Sequence, residues 1–215
     1  MKRSGKSLSG WLIAFDLDDT LISEREYLTS VFKVFAGRGY ASLPALLEYD
    51  NAYKAIDEII DERFRESAVA LYRSGEIPTR PVSGTESLLK DLSERGAVLA
   101  VITDGWSGRQ RGKLAGTGLT GYFSFICISE ENGNKDKLTG EPFRLVDEHY
   151  PDLKKVYVGD NPAKDFVRAK ERGWETVMVR NPELRYVHPA ETFSEEYAAD
   201  IVLDSLEKVT TVLFD

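Results

Sequence analysis

The stretch Trp11-Leu12-Ile13-Ala14-Phe15-Asp16-Leu17-Asp18-Asp19-Thr20-Leu21 runs from an unbroken apolar segment straight into three carboxylates. A short apolar run without polar alternation is what a strand buried on both faces of a parallel sheet looks like. Similar runs recur at Ala97–Thr103, Phe125–Ile128, Lys155–Gly159, Glu175–Arg180 and Asp200–Leu203. Between them lie helix-like stretches at Thr85–Arg95, Gly108–Gly116, Glu141–His149, Ala163–Arg172 and Ser205–Phe214. This alternation predicts an α/β fold, a doubly wound, three-layer Rossmann-like parallel sheet covered by crossover helices.

The pattern is interrupted once, directly after the first strand. From about Ser23 to Pro81 no strand is legible, while Leu28, Val31, Phe32 and Phe35 share one helical face, as do Ile56, Ile59, Ile60 and Phe64. Gly37-Arg38-Gly39, Gly75, Pro78 and Pro81 punctuate the stretch. The expected organisation is a core of residues 1–22 plus 82–215, with an all-helical lobe of residues 23–81 inserted into it.

Composition narrows the functional classes. The 215 residues are 42% hydrophobic and 11% aromatic, enough for a sizeable core, and the net charge is −8. Binding a polyanion requires clustered Lys and Arg, and no basic stripe is visible, so no nucleic-acid partner is expected. The single cysteine, Cys127, sits in Phe125-Ile126-Cys127-Ile128 and reads as a buried strand thiol, which suits a reducing compartment. The start, Met1-Lys2-Arg3-Ser4-Gly5-Lys6, is not followed by an apolar signal segment, and no run approaches the roughly 18 apolar residues of a membrane span. A cytoplasmic location without membrane contact is expected; monomer and homodimer both remain open.

Ligands of an open parallel sheet sit beyond the carboxyl ends of its strands. Asp16 and Asp18 lie at such an end, where two carboxylates repel unless a cation or a reacting phosphate offsets them; a solvated acidic turn is the plain alternative. Val156-Tyr157-Val158 leads into Gly159-Asp160-Asn161-Pro162-Ala163-Lys164-Asp165, a second acidic pair able to offer hard oxygens to Mg²⁺, although Asp165 would also suit the first turn of a helix. Ala100-Val101-Ile102 leads into Thr103-Asp104-Gly105, where a hydroxyl and amides opening a helix would bind an anion, or simply cap it.

Together these motifs resemble the haloacid dehalogenase-like superfamily of phosphatases and phosphotransferases, with the helical insert where that superfamily's C1-type caps occur. The resemblance spans essentially the whole chain. It implies a Mg²⁺-dependent phosphatase acting on a small phosphorylated metabolite such as a sugar phosphate or nucleotide. Asp16 would be the nucleophile, Asp18 the general acid and base, Thr103 a phosphate ligand, and Asp160 a magnesium ligand with Asp165 close behind; Asp16 and Asp18 would share the metal. The superfamily's active-site lysine precedes a phenylalanine by six positions. Lys137 keeps that spacing to Phe143, with Leu138 where proline is usual, and Lys135 is its competitor. Asp104 stands where many relatives carry asparagine, so its carboxylate is expected to point away from the phosphate.

Asp104, Gly105 and Arg109 are the candidate substrate contacts; Trp106 and Arg111 follow the same loop, and Glu24, Arg25 and Tyr27 lie near the hinge of the insert. An acid at position 18 disfavours dehalogenation, because halide leaves without a proton. Phosphotransfer within the same family stays open, as does a phosphorylatable receiver-like switch. His149 and His188 lie outside every motif and read as structural or surface residues, and residues 181–197 read as a loop without an assigned function.

Overall fold

The computed structural model describes residues 6–180, 184 and 193–214. Six strands form one parallel sheet: β1 (Trp11–Phe15), β2 (Val98–Thr103), β3 (Phe125–Ile128), β4 (Lys154–Gly159), β5 (Glu175–Val179) and β6 (Ile201–Leu203), in the order β3-β2-β1-β4-β5-β6. Leu12 pairs with Val98 on one side and with Lys155 on the other, so the chain's first strand lies at the centre, where the strand order reverses. That reversal opens a crevice at the carboxyl ends of β1, β2 and β4.

Alternate residues of each strand feed opposite faces. Ile13, Phe15, Val101, Val156 and Val158 pack under Leu88, Leu89 and Leu92 of α5 (Thr85–Glu94) and Val209 of α9 (Lys208–Phe214). Leu12, Ala14, Ala100, Ile102 and Tyr157 pack under Phe143 and Val146 of α7 (Glu141–His149) and Ala169 of α8 (Val167–Glu171). The three layers expected from the apolar runs are therefore present, and the runs are unbroken because both faces are covered.

Between β1 and α5 stand four helices: α1 (Glu24–Gly37), α2 (Leu43–Leu46), α3 (Ala52–Ile59) and α4 (Glu62–Ser74). Ser23, Asn51 and Asp61 cap α1, α3 and α4 by accepting backbone N–H groups. Their buried residues, among them Val31, Phe32, Phe35, Ile56, Ala68 and Tyr72, cluster with one another apart from both faces of the sheet. The chain returns to the sheet where Ile22 bridges Pro81 and the Val82 N–H donates to the Leu21 carbonyl at 2.8 Å.

The helix expected over Ala163–Arg172 is shorter than its pattern, spanning only Val167–Glu171. Residues 161–165 instead form a turn in which the Lys164 and Asp165 N–H groups both donate to the Asn161 carbonyl. The final helix likewise begins at Lys208, later than Ser205. Of the loop expected over residues 181–197, residues 181–183 and 185–192, His188 among them, lie outside the described residues.

Candidate active site

Asp16 leaves β1 with its N–H still donating to the Val158 carbonyl at 2.8 Å, which aims the next residues into the crevice. Its carboxylate is buried, and Lys137 Nζ lies 2.8 Å from Oδ1. Lys137 opens a 3₁₀ turn after β3; its own N–H donates to Asp104 Oδ1 at 3.2 Å, and the Asp136 side chain caps the turn through the Thr139 N–H. The same amine reaches Asp165 Oδ1 at 2.5 Å, so one fully buried lysine joins two carboxylates. Lys135 pairs with Glu141 on the surface, 3.1 Å away, and stays outside this cluster.

The second oxygen of Asp165 accepts the N–H groups of Asp160, at 3.2 Å, and Asn161, at 2.9 Å. The carboxylate thus winds the turn that follows β4, ahead of α8 and outside its first turn. A Cβ on Gly159 would lie 2.5 Å from that same oxygen, which is why glycine stands at the strand end. Asp16, Asp160 and Asp165 are all buried, each placing a carboxylate oxygen within 4.8 Å of the others. Burial, with Asp165 adding, pushes the Asp16 carboxyl up to about 6 against the opposing pull of Lys137 and Lys164. Burial and the charges of Asp165 and Asp16 hold Asp160 well above the carboxylate range.

A second group centres on Asp18. Lys113 Nζ lies 2.5 Å from Oδ1, and Gln110 Nε2 donates to Oδ2 at 3.0 Å. Burial alone would raise this carboxyl, but Lys113 and Arg109 outweigh it and hold it below its usual value. Gln110 Nε2 also reaches Thr103 Oγ1 at 2.7 Å, joining the ends of β1 and β2. Lys113 and Gln110 come from α6 (Ser107–Gly116), which opens directly behind the Thr103-Asp104-Gly105 loop.

The remaining expected contacts are distributed around these two groups. Asp104 directs Oδ1 at the Lys137 N–H and Oδ2 toward Lys164 Nζ, 3.5 Å away, so its charge holds the lysine turn. Gly105, at φ +132°, donates its N–H to Ser129 Oγ at 2.9 Å, and the Ser107 N–H donates to Glu130 Oε2 at 2.7 Å; these amides are engaged within the protein. Arg109 donates to Tyr72 Oη of α4 at 2.5 Å. Trp106 lies under the guanidinium of Arg73, 4.0 Å from its ring centre, and Arg111 pairs with Glu131 at 2.6 Å. His149 stays peripheral, with Nδ1 at 2.9 Å from the Leu145 carbonyl.

Lys113 and Gln110 escape a motif-based reading. The signal for them is α6 itself: Ser107-Gly108-Arg109-Gln110-Arg111-Gly112-Lys113-Leu114-Ala115-Gly116 has almost no apolar stripe, yet it must pack somewhere, so Gln110 and Lys113 join Leu114 on its buried face.

The model for haloacid dehalogenase-like hydrolases matches residues 13–179, from β1 through β5. The chain belongs to this family. A glyceraldehyde 3-phosphate phosphatase from Methanocaldococcus jannaschii is 27% identical over 94% of this chain and 96% of its own length. A phosphoserine phosphatase from Thermus thermophilus is 36% identical over 55% of this chain and 47% of its own. Among solved structures, the HAD-hydrolase YfnB from Bacillus subtilis, bound to magnesium, superposes with a TM-score of 0.71 at 18% identity. It covers 94% of this chain and 98% of that chain, and the likeness establishes the shared fold.

Proposed function

We propose that the protein is a Mg²⁺-dependent phosphatase that hydrolyses a small phosphomonoester through a phosphorylated Asp16. The observation that carries this reading is the Asp16 carboxylate at the centre of the sheet, held by the buried amine of Lys137 with Asp160 and Asp165 grouped beside it.

Three buried carboxylates around one lysine leave surplus negative charge, and their hard oxygens match what Mg²⁺ binds. The Asp16 and Asp160 carboxylates with the Asp18 main-chain carbonyl would hold the ion, Asp165 standing behind through Lys137 and the 160–161 amides. Bound there, Mg²⁺ offsets the repulsion between Asp16 and a phosphate dianion.

The side chains divide the chemistry. An Asp16 oxygen forms a bond to phosphorus as the bond to the leaving oxygen breaks, and Asp18 gives that oxygen its proton. Asp18 then takes a proton from water, whose oxygen displaces Asp16 and releases inorganic phosphate. Thr103 and Lys137 stabilise the phosphoryl oxygens in both steps. Residues 1–22 with 82–215 serve as the catalytic core, and residues 23–81 as a cap that closes over the crevice and excludes water. The separate apolar cluster of α1–α4 and its two adjacent crossings at Ile22 and Pro81 support that division. A closing cap leaves room for small metabolites, in keeping with the relatives named for glyceraldehyde 3-phosphate and phosphoserine. Among the described residues no helix is long and apolar enough to cross a membrane.

Phosphate release from a panel of small phosphomonoesters, with and without Mg²⁺, tests the reading. Asp16→Asn should abolish release, whereas Asp18→Asn should slow it and accumulate phosphoprotein. Multiple turnover separates a phosphatase from a phosphorylated switch, which would stop at a stoichiometric, long-lived phosphoprotein. Full hydrolysis by Asp16→Asn overturns the mechanism.

A further inference from the structure

A cavity of about 840 Å³ lies outside the catalytic crevice and has no part in the steps above. It is bounded by α1, by residues 78–80 of the segment that returns to the sheet, and by Gly116 at the end of α6. None of Asp16, Asp18, Thr103, Lys137, Asp160 and Asp165 lines it. The 10 residues of α6 begin behind the Thr103 loop and reach the cavity only at their last, roughly 14 Å further along the helix axis. A Cβ on Gly116 would lie 3.6 Å from the Ile77 carbonyl and 4.0 Å from the Thr79 side chain, so the returning segment packs against that helix end.

Three cations line the cavity. Arg25 and Lys33 stand on α1, roughly 12 Å apart along its axis, and Arg80 comes from the returning segment. All three are exposed, and among the described residues none of their side chains has an ion pair or a hydrogen bond. Glu26 is the one acid in the lining. In a chain of net charge −8 this is a local excess of positive charge, which draws anions to a concave surface. The hydroxyls select further. Thr29 Oγ1 donates to the Arg25 carbonyl at 2.9 Å and Thr79 Oγ1 to the Ile77 carbonyl at 2.8 Å. With their protons committed, both offer lone pairs to a hydroxyl group of a ligand and no proton to a phosphate. No aromatic ring lines the cavity, so nothing there stacks on a nucleobase.

We infer that this cavity is a second ligand site, separate from the catalytic crevice, and that it takes a sugar bisphosphate. Its volume is that of a small-molecule site. The spread of Arg25, Lys33 and Arg80 suits two phosphates held apart by a sugar, and Thr29 and Thr79 accept the sugar hydroxyls between them. A ligand there touches α1 and the returning segment without entering the crevice, so it binds beside a substrate and does not replace it.

Titration of fructose bisphosphate into Asp16→Asn with Mg²⁺, at physiological ionic strength, tests the assignment. The variant spares the probe from hydrolysis, and backbone amide resonances report where the probe sits. Those of Thr29, Thr79 and Gly116 should shift with one Kd, independently of those of Asp104 and Gly105 beside the crevice. Lys33→Gln and Arg80→Gln should each raise the cavity Kd roughly tenfold, the loss expected of one charge-assisted hydrogen bond, with melting temperature unchanged. Lys90→Gln, on the exposed side of α5 and outside the cavity, removes the same charge and should leave the cavity Kd as it was. No shift of the cavity resonances, or shifts that survive Lys33→Gln and Arg80→Gln together, overturns the assignment. Inorganic phosphate or ATP held there as tightly as fructose bisphosphate overturns the ligand class. The site does not depend on the role given to Asp16: hydrolysis of the probe by Asp16→Asn counts against that role, and the cavity resonances still decide the second site.

Discussion

Lys137 carries a charge with no access to solvent, between Asp16 and Asp165. Its burial would favour the neutral amine, but the two carboxylates hold it charged, well above its usual value. Replacing it with methionine removes the cation and leaves buried carboxylates against one another. Lys137→Met is therefore expected to lower stability by about 3 kcal/mol, the loss typical of breaking a buried ion pair. It should lower kcat by roughly 10²-fold or more, as losing one stabilising group in an active site does. Urea denaturation and phosphate-release kinetics check the two effects; a surface lysine in its place would give neither. The family resemblance favours Lys137 over Lys135 by its six-residue spacing to Phe143 and leaves both open; the fold decides between them, with Lys137 at Asp16, Lys135 at Glu141, and Phe143 packed against Tyr157 and Trp174 in the sheet's apolar face. Lys113 was illegible by the same route. A lysine on a helix reads as solvent-facing until the fold brings Asp18 and Glu24 to it from some ninety positions away.

At the scale of elements, α6 is the seam between the sheet and the helical insert. A Cβ on Gly112 would lie 2.5 Å from the backbone of Gly75, which caps α4, and one on Gly108 would lie 2.6 Å from the Arg73 carbonyl. The end of α4 thus rests on α6 at backbone distance, on the helix that also carries Arg109, Gln110 and Lys113. Gly112→Ala must push the two apart. It should cost about 1–3 kcal/mol, the usual range for overpacking, and lower kcat/KM at least tenfold by shifting the contacts to Asp18. Gly121→Ala, where nothing lies within 4 Å, is the matched control and should change neither quantity in thermal melts and kinetics. The apolar stripe of α1 and the buried run of β1 were readable from periodicity alone, whereas the partners of β1 were not. The shortened α8 was not, because the turn before it is wound around the Asp165 carboxylate, a side-chain contact that overrides a helical pattern.

For the whole molecule, the acidic groups gathered at one end of the sheet predict how stability responds to pH and metal. Asp16 is raised to about 6 chiefly by burial, with Asp165 adding. Asp19 is also raised to about 6, again chiefly by burial, with the charges of Glu24, Asp18 and Asp16 adding. Between about pH 4 and 6 the folded chain then holds protons that the unfolded chain has released. The stability these protons confer is complete below the unfolded carboxylate pKa and is lost as pH rises through about 6. In EDTA, the urea midpoint of the wild type should therefore fall from pH 5 to pH 7 relative to Asp16→Asn and Asp19→Asn. Mg²⁺ selects the ionised carboxylates and should reverse that fall, adding about 2.7 kcal/mol at a hundredfold excess over its Kd. No change on adding Mg²⁺ at pH 7 would contradict a metal site at this edge.

What the sequence determined by itself follows from local chemistry. Continuous apolar runs ending in Asp16, Thr103 and Gly159 specify buried parallel strands, and placing reactive residues just past those runs puts them at the sheet's carboxyl edge whatever the loops do. What only the tertiary structure decided are the partnerships between charges. Lys137 lies between Asp16 and Asp165, Lys113 between Asp18 and Glu24, and the amides of Gly105 and Ser107 are engaged by Ser129 and Glu130. Periodicity reports which face of an element is buried, but a polar residue becomes buried only when a distant part of the chain supplies its partner, and that pairing has no local signature.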